Sequence, residues 1–173
     1  MTSSRWIALL ALLTLLALGC SSDSDGPPTG PETPTRGFRM GFTPWPNAAT
    51  VADVEGTWDR VHAHGDVVTI HLDAGVPWEE ALTGSAYHPN VEAELRGRAA
   101  ALDPGMDVVL AVCPLSTLRD DLAGYWGEST NMERTGDWAS RSLASFEVQV
   151  AYVEFLDDLI DRFDPTWLCL LYT

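Results

Sequence analysis

His71 and Asp73 close the apolar run Val67-Val68-Thr69-Ile70-His71-Leu72-Asp73, and the turn Ala74-Gly75-Val76-Pro77 leads from them to Trp78. An imidazole and a carboxylate can hydrogen-bond the hydroxyls of a sugar while an indole stacks on its C–H face. Side chains alternate along a strand, so Val68, Ile70 and Leu72 share one face and Val67, Thr69, His71 and Asp73 the other. The first set suits packing against helices; the second would carry its last two members to a site at the strand's C-terminal end. Trp45 follows an earlier apolar run, and Trp126 and Trp138 lie in a long segment after a third one. Trp45, His71, Asp73, Trp78 and Trp126 are therefore the candidate substrate-binding residues. Trp58 and Trp167 fall at helix and strand positions and are expected in the core.

Other chemistries fit less well. Asp73, Glu79, Glu80, Glu128 and Asp137 all fall in segments expected at the same end of the sheet, but such charges are ordinarily solvated loop residues, and Glu79-Glu80 reads as part of a short exposed helix. His62-Ala63-His64 with His71 and Asp73 offers metal-ligand side chains. The first two, however, end a helix on the opposite side of the sheet, where the helix dipole accounts for them. No metal and no cofactor is expected. Cys113 and Cys169 lack metal-site spacing and read as small buried thiols rather than a disulfide.

Four strands must position these residues: Met40–Trp45, Val67–Asp73, Val108–Pro114 and Trp167–Tyr172. Thr50 with Asp53 forms a capping box ahead of Val51, Val54, Trp58 and Val61 at helical spacing, stopped at His64-Gly65. Asn90 caps a second helix carrying Val91, Leu95, Ala99 and Leu102, ended by Asp103-Pro104-Gly105. Leu115, Leu118 and Leu122 suggest a short helical piece, Gly124 to Asp137 a long loop. Tyr152, Phe155, Leu156, Leu159 and Phe163 mark the strongest helix, over about Leu143 to Phe163. Strand and helix alternate, which gives an α/β fold with a parallel sheet. Thr43-Pro44-Trp45-Pro46 stands where a nucleotide-binding fold places its glycine-rich turn, and the prolines forbid that turn. The expectation is an incomplete TIM (β/α)8 barrel of about four β/α units, since a full one takes roughly 250 residues.

Residues 1–19 read as a signal peptide: Arg5, an apolar stretch from Trp6 to Leu18, then Gly19-Cys20. The stretch is too short to span a bilayer. Residues 20–36 are polar and proline-rich, a flexible tether with nothing to bury, and residues 37–173 form the folded part. The net charge of −15, with arginine as the only strong base, repels phosphate backbones and excludes nucleic acid as a partner. Uncharged polysaccharides or oligosaccharides are not penalised.

Two family resemblances follow from these segments. Leu16-Ala17-Leu18-Gly19-Cys20 resembles the bacterial lipobox, which implies export, lipidation at Cys20 and membrane contact through that anchor alone. Met40-Gly41-Phe42-Thr43-Pro44-Trp45-Pro46, His71-Leu72-Asp73-Ala74-Gly75-Val76-Pro77-Trp78, Cys113-Pro114-Leu115 and Gly124-Tyr125-Trp126 resemble the N-terminal half of glycoside hydrolase family 53, the arabinogalactan endo-1,4-β-galactosidases. The resemblance implies a barrel whose acid/base Glu ends strand four and whose nucleophilic Glu ends strand seven. Strand four here is followed by no glutamate, so neither carboxylate is carried over. The chain is expected to be a truncated glycosidase, inactive as it stands, that keeps part of a sugar-binding rim. The alternative is a non-catalytic, lipid-anchored glycan-binding protein. In either case the open edges of a half barrel leave it prone to self-association.

Overall fold

The computed structural model describes residues 37–170. The signal segment, Cys20 and the tether lie outside the described residues, as does the end of the expected fourth strand.

Four parallel strands make one sheet in the order β1-β2-β3-β4: β1 (Gly41–Phe42), β2 (Val67–Leu72), β3 (Asp107–Val112) and β4 (Trp167–Cys169). Four α-helices are seen among the described residues: α1 (Val51–His64), α2 (Trp78–Thr83), α3 (Pro89–Ala100) and α4 (Phe146–Phe163). The register pairs His71 with Ala111 and Leu72 with Val112, and on the other side Ala111 with Cys169. The order runs sequentially from one edge to the other, without the reversal that marks a doubly wound sheet.

The expected alternation in β2 holds. Val68, Ile70 and Leu72 are buried, while Val67, Thr69 and His71 are only partly covered. The buried face meets Val61 of α1, Leu95 of α3, and Phe155 and Leu159 of α4 in one hydrophobic core. Each such side chain stabilises the fold by about 1.5–3 kcal/mol relative to exposure. The opposite face of β2 carries Thr69 and His71 toward the open side.

Local signals explain most helix ends. The Thr50 hydroxyl accepts from Asp53 N–H at 3.2 Å, and Gly65 N–H donates to Val61 O at 2.7 Å, closing α1 at both ends. His62 bonds Ala101 O through Nε2 at 2.9 Å, which ties α1 to the end of α3. In α4 the buried stripe Val148, Ala151, Phe155, Leu159 and Phe163 recurs at helical spacing. Tyr152 reaches over the strand ends and donates to Val112 O at 2.9 Å. Burial, with the Cys113 and Cys169 thiols nearby, pushes its phenol well above its ordinary range.

Four expectations are corrected. Helix α3 is capped by His88, not Asn90: Pro89 needs no N–H in the first turn, and His88 Nδ1 accepts from Asn90 N–H at 3.2 Å. Leu115 to Leu122 is not helical, because the segment folds back on itself with an antiparallel bridge between those two residues. Its tip holds Arg119 at φ 63° and an exposed Leu118. Trp167 is 48% exposed rather than in the core. From the edge strand β4 it pairs with Val109 of β3 and so shares the open face with Thr69 and His71. The Glu79-Glu80 helix is not an exposed one, since Trp78 and Ala81 anchor α2 in the core. Cys113 and Cys169 are partly buried and not disulfide-bonded.

Candidate functional site

At the C-terminal ends of β2 and β3 the chain leaves a cleft of about 210 Å³, lined among others by His71, Asp73, Cys113, Leu115, Thr117 and Arg119. The face alternation sets its composition. His71 ends the open-face row of β2 beside the small Ala111, and Cys113 extends the same row of β3. Arg98 of α3 donates from Nη1 to His71 O at 3.1 Å, fixing the strand end that carries the imidazole. Trp45, 69% exposed, stands over that imidazole with ring centroids 6.0 Å apart and planes inclined by 37°.

Asp73 is held by its backbone. Asn131 donates from Nδ2 to Asp73 O and from its N–H to Ala74 O, each at 2.7 Å. The next residue, Gly75, has φ 104°, and a β-carbon there would lie 2.5 Å from Gly124 O. Only glycine permits so close an approach in that conformation. Val76 then exchanges bonds with the facing segment: its N–H donates to Gly124 O at 3.0 Å and its carbonyl accepts from Trp126 N–H at 3.1 Å. The segment 124–132, read as loop, thus acts as a brace behind the carboxylate.

The other two candidate tryptophans are not at the rim. Trp78 is 0% exposed, donates from Nε1 to Ala123 O at 3.1 Å and stacks on Trp138 at 5.8 Å. Trp126 is 2% exposed and meets Phe155 edge to face at 6.4 Å. Both indoles pack the brace onto the helices, so neither ring face is open to a ligand. Trp138 donates to Glu79 at 2.7 Å and lies under the Arg141 guanidinium at 4.2 Å. Glu80 accepts from the Tyr125 hydroxyl at 2.5 Å. Burial, then that bond and the neighbouring carboxylates, push Tyr125 up to about 12.

The chain matches no family model, no curated protein and no solved structure.

The structure brings His71 and Asp73 into one cleft with Arg119, Thr117 and Cys113, and sets Trp45 against His71. No local pattern singles out Arg119: its place follows from a left-handed residue at a loop tip. Among the described residues no group of three or more His, Cys, Asp or Glu side chains is arranged to hold a metal ion, and no helix is long and apolar enough to cross a membrane. Among the described residues Asp73 is the one carboxylate in the cleft lining. A retaining glycosidase needs two, about 5 Å apart. An imidazole, a guanidinium, a hydroxyl and a single carboxylate beside an open indole can instead hold a polyol by hydrogen bonds and stacking.

Proposed function

We propose that this chain binds uncharged polysaccharide or oligosaccharide at the His71–Asp73 cleft, with Trp45 against His71, without cleaving it, as an exported glycoside-hydrolase-like lipoprotein. The observation that carries the reading is the exposed Trp45 ring in contact with His71, an imidazole that itself lines the cleft with Asp73, Thr117 and Arg119. Among the described residues Asp73 is the one carboxylate that lines this cleft, whereas a retaining glycosidase works with two about 5 Å apart. The family 53 resemblance of the segments around Trp45 and His71 makes β-1,4-galactan the first ligand to try. The fold that goes with this reading is half of a (β/α)8 barrel. Its support is the sequential strand order and the one-sided helical cover, which leaves the row with His71 facing what would be the barrel interior. The lipobox-like ending at Cys20 supplies the anchor in this account.

Isothermal titration of the full chain with β-1,4-galacto-oligosaccharides, run beside a reducing-sugar assay on galactan, tests the reading. Saturable binding with no release of reducing ends is expected. Absence of binding, or cleavage by the unaltered chain, would overturn it.

A further inference from the structure

One flank of α4 packs on a neighbouring helix and the opposite flank does not. Arg162 turns toward α3, where it bonds Glu92. At 3.6 residues per turn, Phe146, Val153 and Ile160 fall together about half a turn from Arg162, and all three are exposed, Phe146 at 75% and Val153 at 52%. Val153 stands midway between the other two along the helix. The edge strand continues this apolar strip. Leu168 pairs with Leu110, so it lies on the face that the helices cover; Leu110 is buried there, whereas Leu168 and Leu170 are exposed. Among the described residues nothing closes over the strip.

A second copy of the chain fits it. Because Phe146 and Ile160 are equally far from Val153, a twofold axis through Val153 runs the two α4 helices antiparallel and sets Phe146 of each copy against Ile160 of the other. Tyr152, next to Val153, donates to Val112 O at 2.9 Å and to Leu170 O at 3.4 Å, which places α4 over the boundary between β3 and β4. Neighbouring strands lie about 4.8 Å apart. With the two β4 edges meeting at the axis, the α4 axes would stand about 10 Å apart, within the range of packed helices. The charges suit the same arrangement. It faces Asp157 with the amide of Gln149 in the other copy, and Asp161 with the first turn at Ser145, where a helix N-terminus carries partial positive charge. The area is also sufficient. The exposed parts of Phe146, Val153, Ile160, Trp167, Leu168 and Leu170 amount to about 400 Å² of apolar surface per copy. Apolar atoms make up roughly 60% of such interfaces, so the strip corresponds to about 700 Å² per partner, close to the size of a standard specific pair.

From this match we infer that the chain forms a twofold homodimer through α4 and the β4 edge, with Val153 on the axis. Sedimentation velocity of the full chain is the test, run in about 0.15 M salt so that the charge of −15 per copy is screened. A concentration-dependent dimer with a dissociation constant in the micromolar range is expected. Val153→Asp sets two carboxylates against each other on the axis and is expected to weaken association by about a hundredfold or more, with the circular dichroism unchanged because the side chain is exposed. Val153→Cys is expected to give a disulfide-linked dimer under mild oxidation, and Glu154→Cys, about 100° further round the helix, to give none. A chain that stays monomeric up to about 100 µM would overturn the dimer. Association that survives Val153→Asp, as contact through the apolar stretch 6–18 would, overturns it too, and so does equal cross-linking of the two cysteine variants.

Discussion

Replacing Gly75 by alanine is expected to cost the fold about 2–5 kcal/mol and to weaken ligand binding, and the figure can be built from the backbone. A residue with a β-carbon held at φ 104° pays about 1–2 kcal/mol for its left-handed conformation. The new methyl would also sit 2.5 Å from Gly124 O, well inside the roughly 3.5 Å of an unstrained heavy-atom contact. One segment must move, which stretches the 3.0 Å bond from Val76 N–H to that same oxygen. Leaving such buried groups unpaired costs about 1–3 kcal/mol. For a domain of this size the total corresponds to a fall in melting temperature of roughly 10 °C. Urea unfolding followed by tryptophan fluorescence reads it directly, because Trp78 and Trp126 are packed behind the brace. A loss below about 1 kcal/mol would show that strand β2's exit and the 124–132 segment do not meet as described, and the positioning of Asp73 would lose its explanation.

Two further outcomes follow from the packing. Tyr125, raised from its ordinary 10.0 to about 12 by burial and by Glu80, favours the fold in its neutral form; that stabilisation is complete below about pH 10 and is lost as pH rises through about 12. Alkaline titration of tyrosinate absorbance should therefore show this late step in the native chain and lose it in Tyr125→Phe; ionisation of Tyr125 at its ordinary value would refute the Glu80 contact. Arg162 joins α4 to α3 through two 2.8 Å bonds to Glu92 and is held within α4 by one of 2.7 Å to Asp158. Arg162→Ala should lower unfolding free energy by about 1 kcal/mol, less in about 1 M salt, and an effect insensitive to salt would mean the side chain acts by packing alone.

The parts of the fold that are periodic were readable in the sequence. Val68, Ile70 and Leu72 alternate with Thr69 and His71, and a strand buried on one face has no other way to arrange them. The Thr50 cap and the α4 stripe are equally local signals. Leu115, Leu118 and Leu122 show why spacing alone misleads: three leucines fit a helix, yet the backbone bonds across the turn, as in Ser116 N–H to Asp121 O at 2.9 Å, and leaves Leu118 in solvent. The candidate site was half legible for a related reason. His71 and Asp73 were placed by strand parity, whereas Trp45, Trp78 and Trp126 are the same side chain in different surroundings. What buries Trp78 is a carbonyl 45 residues away, and what presents Trp45 is its neighbour His71 on the next strand. Both are tertiary facts that no local pattern carries.

The most direct test of the account is a calorimetric titration of β-1,4-galacto-oligosaccharide into the native chain and into Trp45→Ala. Because Trp45 is 69% exposed, its removal should leave unfolding free energy within about 0.5 kcal/mol of the native value, so any change in binding belongs to the site. The account predicts a loss of affinity of about tenfold or more. An unchanged affinity would contradict it.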